Sequence, residues 1–442
     1  MKSTLYDDVI RQFDLPLSRL RKVRKAAIAE MDAGLADRKS TIAMFPAYCD
    51  AASGREKGRY LALDLGGTNF RVMMVRLQGQ GAFPKVVAEA KYRLTREQIS
   101  GSGTVLFEAI AGYLHKFLEG HEFAGDYALG YTFSFPVRLL GIDEGVLVKW
   151  TKDFSATGVE GKKIVALQRQ ALARKGVGNV SIVALANDTV GTLQAEAALD
   201  PACVVGVILG TGFNIAVRVA SRRIRKETGH YSGSGMIINT ESGGFGRSLP
   251  ITIYDRRVDR ESGNVGHQWV EKMIAGKYLP QLVRILALEF IRKEHLFGGK
   301  VPSVFADKEA FKGQYMDVFE VGSRDEVDKL SRELFGSNVT AQDRRIIASL
   351  CRIVSRRSAR LAAAMIRAAL ARSERRAGKR ITVAVDGSLF EKYPGYARSL
   401  GKTVRELQGR GARVSLKLSK DGSGIGSAVI AAVVCNEKRP GE

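Results

Sequence analysis

Two glycine-rich turns are the residues of this sequence best suited to binding phosphate. Residues 64–69 (DLGGTN) stand between two β-like runs, and residues 210–214 (GTGFN) follow the apolar run 204–209. Paired glycines permit a tight turn whose exposed amide N–H groups can bind phosphate oxygens. A single turn of this kind is as often a plain hairpin as a phosphate-binding loop. The first turn is not a Walker loop, because no GK[ST] follows it. Two turns in separate halves of the chain favour phosphate binding over coincidence.

One acid lies between the two turns in the chain. Asp188 follows Asn187 at the end of the apolar run 181–186 (SIVALA). A carboxylate there can accept a hydroxyl proton while the oxygen attacks phosphorus, which is its use in phosphoryl transfer. The alternative is that Asp188 only caps the helix that follows. Asp64, in the first turn, is a candidate for holding a hydrated Mg²⁺.

The elements that must position these residues are apolar strands that end in polar side chains. Apolar β-like runs lead into residues 64, 187, 210, 239 and 386, and helical patterns are predicted near 5–35, 103–119, 160–175, 265–295 and 340–373. A glycine loop near 421–426 is predicted to lead into an apolar C-terminal helix. In open α/β sheets, ligands bind at the carboxyl ends of strands. Because strand, loop and polar residue recur in two halves, we expect a mixed α/β protein with two lobes facing one cleft.

Length and composition agree with such a protein. A chain of 442 residues usually divides into domains, and 45% hydrophobic with 26% charged residues is ordinary globular usage. No apolar run approaches the roughly 20 residues that span a bilayer, and the N-terminus lacks an apolar signal core. These features predict a cytoplasmic protein.

Cysteine and histidine usage gives no sign of a resident metal site. Cys49, Cys203, Cys351 and Cys435 are scattered without CxxC pairing, and the five histidines form no HExxH-type cluster. We therefore expect free buried thiols, no protein-held metal, and a metal ion that arrives with the substrate.

The formal net charge of +23 predicts attraction of anions. Basic residues concentrate in 20–25 and between 352 and 380, where Arg352, Arg356 and Arg360 recur every four residues opposite an apolar face. This pattern indicates an amphipathic helix with a solvated basic stripe, or alternatively a polyanion or membrane-surface contact. No zinc finger or other nucleic-acid module accompanies it.

A family resemblance covers nearly the whole chain. Nine segments resemble, in the family's own order, the signature segments of hexokinases: LDLGGTNFRV, GYTFSFPV, VKWTKDF, ALANDTVGT, LGTGFN, INTESGGFG, EKMIAGKYL, VDGSL and DGSGIGSA. The stretch EMDAGLADRKSTIAMFP resembles the family's N-terminal lead-in. The resemblance implies a single-unit hexokinase with the actin-like (ribonuclease H-like) α/β sugar-kinase fold. It would transfer the γ-phosphoryl group of Mg-ATP to the 6-hydroxyl of a hexose, first of all glucose, as the opening step of glycolysis.

The resemblance also implies roles for individual residues. Asp188 resembles the catalytic base, and Lys152 can stabilise charge on the moving phosphoryl group. The residues that resemble sugar ligands are Ser134, Thr151, Lys152, Asn187, Asp188, Asn214, Glu241, Gln268 and Glu271. Those that resemble the nucleotide site are Asp64, Gly66, Gly67, Thr68, Asn69, Arg71, Thr211, Asp386, Gly387, Ser388, Gly422 and Ser423.

The implied domains are an N-terminal helical part of the large lobe (1–58), a small lobe (59–187), a large lobe (188–425) and a C-terminal helix returning to the small lobe (426–442). The expected partners are a hexose and ATP. Ser242 and Gly244 beside Glu241, Asp153, Ile425, Arg247 and Ser248 depart from the family's usual residues. These departures leave sugar preference, nucleotide affinity and regulation open. The alternative within enzymes is a relative that acts on another sugar, on an amino sugar or with a different phosphoryl donor such as polyphosphate, to which the positive charge points. A non-catalytic sugar sensor or polyanion-binding protein is the alternative outside enzymes.

Overall fold

The computed structural model describes residues 5–66, 69–123, 125–151, 153–229, 231–374, 380–408 and 413–437. The strands of this part are β1 (Phe45–Pro46), β2 (Lys57–Leu65), β3 (Asn69–Gln78), β4 (Lys85–Arg93), β5 (Tyr127–Phe133), β6 (Val137–Gly141), β7 (Glu144–Leu147), β8 (Val180–Ala186), β9 (Cys203–Leu209), β10 (Phe213–Ala220), β11 (Gly235–Asn239), β12 (Arg380–Asp386) and β13 (Arg413–Leu418). The helices are α1 (Leu5–Phe13), α2 (Leu17–Leu35), α3 (Arg96–Ser100), α4 (Gly103–Gly120), α5 (Ile164–Arg174), α6 (Asp188–Ala197), α7 (Ile253–Glu261), α8 (Trp269–Ile274), α9 (Leu279–Arg292), α10 (Ser303–Ala306), α11 (Gly313–Val321), α12 (Arg324–Phe335), α13 (Ala341–Leu370), α14 (Ser388–Glu391), α15 (Pro394–Glu406) and α16 (Gly422–Glu437).

Two mixed sheets organise the described strands. One has five strands in the order β4-β3-β2-β5-β8, and the other has six in the order β1-β11-β10-β9-β12-β13. Strands β2, β5 and β8 are parallel, as are β9, β12 and β13. The carboxyl ends of each parallel set therefore meet at one edge of its sheet, where polar side chains can gather.

Local sequence explains where several elements begin. Strand β2 changes from exposed to fully buried at Tyr60, in step with its apolar run. Helix α4 begins after Ser102, whose hydroxyl accepts the N–H of Val105, and it buries Phe107 and Leu114 against the five-stranded sheet. Such a cap satisfies an N–H that has no partner inside the helix. The predicted helix at 103–119 is confirmed.

The long helix α13 confirms the predicted helix at 340–373 and lies in the core of the six-stranded half. Arg352 and Arg356 are exposed, as the predicted basic stripe requires. Arg360 is not part of a solvated stripe: it is half-buried, donates to the Leu15 carbonyl at 3.0 Å and lies 3.9 Å from Glu406. The N-terminal segment and α15 cover it, which a single helix pattern does not reveal.

Glycines bring α16 into close contact with α6 and the five-stranded sheet. A Cβ on Gly426 would lie 2.0 Å from the Gly191 carbonyl oxygen, and one on Gly130 would lie 1.9 Å from the Ser427 carbonyl oxygen. The prediction of a glycine loop at 421–426 is therefore wrong for most of that segment, since the helix already begins at Gly422. These glycines serve backbone packing inside a helix.

The predicted helices over 5–35, expected as one or two, are confirmed as α1 and α2, which are separated by residues 14–16. Those predicted over 265–295 are confirmed as α8 and α9. Helices α10 to α12 were not predicted. Among the described residues, no helix combines the length and apolarity needed to cross a membrane. Three of the four cysteines are buried as expected, namely Cys49, Cys203 and Cys351, whereas Cys435 is half-buried.

Candidate active site

Asp188 is the first residue of α6, where the end of β8 turns into that helix. Asn187 is the N-cap, and its side-chain oxygen accepts the Thr189 N–H at 2.9 Å. Oδ1 of Asp188 accepts the Thr189 N–H at 2.7 Å and the Thr189 hydroxyl at 3.1 Å. Asn187 therefore performs the capping role, and the Asp188 carboxylate is held in a fixed orientation.

A network of amides and carboxylates lies at the start of β10 and the end of β11. Asn214 Nδ2 donates to Asn239 Oδ1 at 2.7 Å, and Asn239 Nδ2 donates to Glu241 Oε1 at 2.8 Å. Burial raises the pKa of Glu241 to about 7, helped by the negative charges of Asp188 and Glu271 and opposed by the Asn239 hydrogen bond. Glu241 and Glu271 thus form an acidic wall close enough to Asp188 for their charges to interact.

Two predicted sugar ligands have left-handed backbone conformations. Glu241 has φ of 52° and Gln268 has φ of 53°. Such conformations are unfavourable for residues with a Cβ and occur where surrounding structure enforces them, often at functional sites. Beside them, Glu271 Oε2 accepts the Phe213 N–H at 3.1 Å, and burial raises the pKa of Glu271.

The remaining predicted sugar ligands come from the five-stranded half. Ser134 follows β5 and is buried, with its N–H bonded to the Leu65 carbonyl at 3.0 Å. Thr151 is exposed. Lys152 lies outside the described residues. Within the described chain, the predicted sugar ligands thus come from both sheets.

The first glycine turn is connected to the start of α16 by hydrogen bonds. Arg71 donates to Asp64 Oδ2 at 2.8 Å and to Asp421 Oδ1 at 2.7 Å, and the Ser423 hydroxyl donates to Asp64 Oδ2 at 2.9 Å. Gly66 ends the described part of the turn, Asn69 begins β3, and Gly67 and Thr68 lie outside the described residues. The structure therefore brings together Asp64, Arg71 and Ser423.

The second turn contacts the end of β12. Gly387 has φ of 118°, and a Cβ on it would lie 2.3 Å from the Leu209 carbonyl oxygen, so only glycine fits there. Burial, with the negative charges of Asp188 and Asp421, raises the pKa of the neighbouring Asp386 to about 6. Asp188 therefore interacts electrostatically with Glu241 and Glu271 near the ends of β10 and β11 and with Asp386 at the end of β12.

Comparison with known proteins identifies the family. Two sequence profiles described as hexokinase match residues 5–198 and 204–433. A hexokinase of Schistosoma mansoni is 37% identical over 96% of this chain and 96% of its own length. The chain is also 38% identical to a rice protein named Hexokinase-4, chloroplastic, over 94% of this chain and 86% of that protein. The solved structure of the Schistosoma hexokinase complexed with glucose covers 96% of this chain and 97% of its own, with a TM-score of 0.86.

The chain belongs to the hexokinase family. The sequence-based recognition is thereby confirmed, as is the actin-like sugar-kinase fold, to which the two mixed sheets belong. This hexokinase is an ATP-dependent hexose kinase.

Sequence reasoning did not single out two residues of this hexokinase site. Asn239 connects Asn214 to Glu241, and Asp421 pairs with Arg71. Both stand inside segments that resemble the family, INTESGGFG and DGSGIGSA. A polar residue at a strand end was the available signal for Asn239, but its partners are set by the fold.

The acids around Asp188 fit a divalent cation that arrives with the nucleotide. In the described chain, no group of three or more His, Cys, Asp or Glu could hold a metal on its own. The raised pKa of Asp386 reflects burial together with repulsion by Asp188 and Asp421, and a cation nearby would relieve that repulsion. Mg²⁺ usually binds through one or two carboxylates together with substrate phosphates. One or two of these aspartate carboxylates with the phosphates of a nucleotide would match that ligand set.

Proposed function

We propose that this hexokinase transfers the γ-phosphoryl group of Mg-ATP to the 6-hydroxyl of a hexose, with Asp188 as the general base. The observation that carries the proposal is that Asp188, at the start of α6, lies close enough to two sets of acids for their charges to interact. Its charge acts on Glu241 and Glu271 on the sugar side and on Asp386 on the nucleotide side. A base for this reaction must lie where acceptor and donor meet.

The proposed sugar is glucose, the sugar with which the Schistosoma hexokinase was solved in complex. The Glu241 and Glu271 carboxylates can accept hydrogen bonds from sugar hydroxyls, and Asn214 and Gln268 can both donate and accept. Asp188 then accepts the proton of the attacking hydroxyl as the bond from its oxygen to the γ-phosphorus forms and the bond from that phosphorus to the departing ADP breaks. In this mechanism Lys152 stabilises charge on the phosphoryl group, and bound Mg²⁺ supplies neutralisation of the phosphates.

The proposed nucleotide site comprises the two glycine turns and the start of α16. Arg71 fixes Asp64 at the first turn, and Thr211 with Ser388 stands at the second. Helix α16 directs its N-terminus toward this region through the contact of Ser423 with Asp64. A helix N-terminus favours anions.

Replacing Asp188 tests the proposed reaction. Asp188→Asn keeps the side-chain shape but removes the base, so turnover of glucose with ATP should fall by about 100- to 10,000-fold. Glucose binding measured by calorimetry should remain detectable. Asp126→Asn, at an exposed position, is the matched control and should keep wild-type turnover. An Asp188→Asn enzyme with more than about a tenth of wild-type activity would show that Asp188 is not the base.

Several broader expectations remain predictions. The lobe boundaries at 58, 187 and 425, a role in glycolysis and a cytoplasmic location are among them. So is a polyanion contact, which is supported by four exposed cations of α2: Arg19, Arg21, Lys22 and Lys25. Salt-sensitive binding to long-chain polyphosphate that weakens when these four are replaced by Ser would support that contact, and binding that does not change would refute it.

A further inference from the structure

A cavity of about 440 Å³ opens beside Thr211 and Ser388, two residues of the proposed nucleotide site. Its volume is within the range of roughly 300–1,000 Å³ that small-molecule pockets occupy. Its walls come from the segment before α9, the start of α11, and α14 with the residues that follow it. A nucleotide whose phosphates lie at the second glycine turn can therefore extend into this cavity.

The lining of the cavity has two parts that differ in burial. Lys277 and Lys392 are exposed, as are Thr211 and Ser388. The apolar residues of the lining are buried, and these are Leu279, Pro280, Met316 and Leu389. Phosphates and ribose suit the exposed cationic part, whereas a flat base suits the apolar part.

One acid, Asp317 of α11, also lines the cavity. Its Oδ1 atom is buried and has no hydrogen-bond partner among the described residues. The nearby Glu320 does have hydrogen-bond donors, because the hydroxyls of Tyr393 and Ser355 each donate to it at 2.6 Å. Burial and the Glu320 charge both raise the pKa of Asp317. A buried acceptor without a donor costs free energy, and a rotation that turns the Asp317 carboxylate toward N–H groups of a ligand in the cavity would offset that cost.

We propose that Asp317 recognises the base of the phosphoryl donor and enables this hexokinase to use guanosine triphosphate as well as ATP. Guanine presents two neighbouring donors, N1–H and the N2 amine, and a carboxylate can accept from both. Adenine presents one amine beside the acceptor N1, so an ionised carboxylate gains only one hydrogen bond from it. The inference rests on the proposed nucleotide site.

The test compares ATP, GTP and inosine triphosphate as donors to glucose. For the wild-type enzyme we expect kcat/KM with GTP within about tenfold of that with ATP. Inosine triphosphate, which keeps N1–H but lacks the N2 amine, should be several-fold poorer than GTP. In Asp317→Asn, kcat/KM for GTP should fall about tenfold or more, the usual range for one two-point base contact, while that for ATP is retained or rises. Asp325→Asn, an exposed change on α12, should alter neither donor.

The possible results separate this inference from the proposed function. An Asp317→Asn enzyme with the wild-type GTP to ATP ratio overturns the role of Asp317. Equal use of GTP and inosine triphosphate by the wild-type enzyme overturns it too, and this comparison remains decisive if the variant does not fold. Absence of any turnover with ATP and glucose would instead overturn the proposed function.

Discussion

At the scale of single residues, Glu241 is an acid whose ionisation falls in the physiological pH range. Its ordinary pKa of 4.5 is raised to about 7 by burial and by Asp188 and Glu271. The native state therefore holds this proton more tightly than the unfolded chain does. As pH rises from 4.5 to about 7, the sugar-free protein loses the stability that this difference provides. If the acidic wall binds sugar as proposed, its carboxylates are kept at the expense of stability.

Glucose affinity should consequently increase with pH. Hydroxyl donors bind the ionised carboxylate more strongly than the protonated one, and the ionised fraction of a group with a pKa near 7 rises about tenfold from pH 6 to pH 8. Calorimetric titration of glucose without nucleotide should show an affinity gain of about that size. Glu241→Gln should bind weakly with no such slope, whereas Glu333→Gln, an exposed change, should keep it. A wild-type affinity that is flat over this pH range would contradict the role assigned to Glu241.

At the scale of elements, the contact between α6 and α16 connects the proposed base to the proposed nucleotide site. Helix α6 begins at Asp188, and α16 carries Ser423 close to the first glycine turn. Cβ atoms on Gly191 and Gly426 would meet backbone atoms of the opposite helix at 2.9 Å and 2.0 Å. Backbone atoms cannot rotate away as a side chain can, so this spacing depends on glycine.

Gly426→Ala should therefore destabilise the protein and also lower its turnover rate. Overpacking of this kind usually costs about 1–3 kcal/mol, and separation of the helices would also move Ser423 away from Asp64. Urea unfolding and turnover with ATP and glucose would measure the two effects. Gly120→Ala is the control, because a Cβ there would have nothing within 4 Å and alanine favours a helix. If both alanine variants unfold at the same urea concentration, close packing at Gly426 is not what holds α16.

At the scale of the whole molecule, the proposed sugar ligands divide between the two sheets. Ser134 follows β5 of the five-stranded sheet, whereas Asn214 and Glu241 belong to strands or strand ends of the six-stranded sheet. A sugar that contacts both sets must favour the arrangement in which they are close. The segment that connects β1 to β2 is hydrogen-bonded to α6. Gln194 of α6 accepts the Ala52 N–H at 2.7 Å and donates to the Asp50 carbonyl at 2.8 Å.

We predict that glucose alone draws the two halves together. Small-angle scattering should show a smaller radius, and tryptophan fluorescence should change in a saturable way. Trp269 is half-buried beside Gln268, whereas Trp150 is already enclosed by three phenylalanine rings and donates to the Ala156 carbonyl. Trp269→Phe should therefore remove more of the signal than Trp150→Phe. An unchanged scattering profile and unchanged fluorescence at saturating glucose would exclude closure.

The sequence by itself determined the fold class, the family and the chemistry to look for. Apolar periodicity and capping residues are local properties, so helices such as α4 and α13 were predictable. Nine ordered segments identified the hexokinase family, and Asp188 stood out because a strand ended immediately before it. The sequence nevertheless left open whether Asp188 is a base or only caps the helix that follows it.

The tertiary structure decided everything that depends on partners far apart in the chain. Asp64 meets Ser423 across 359 positions, and Glu241 owes its raised pKa to burial and to Asp188 and Glu271, which approach it only in the folded protein. The folded chain likewise assigned the capping role to Asn187, enclosed Arg360 and placed the C-terminal glycines inside α16. Glu241 and Gln268 have left-handed backbone conformations that their residue types disfavour. They adopt them because the surrounding contacts outweigh the cost of a strained residue.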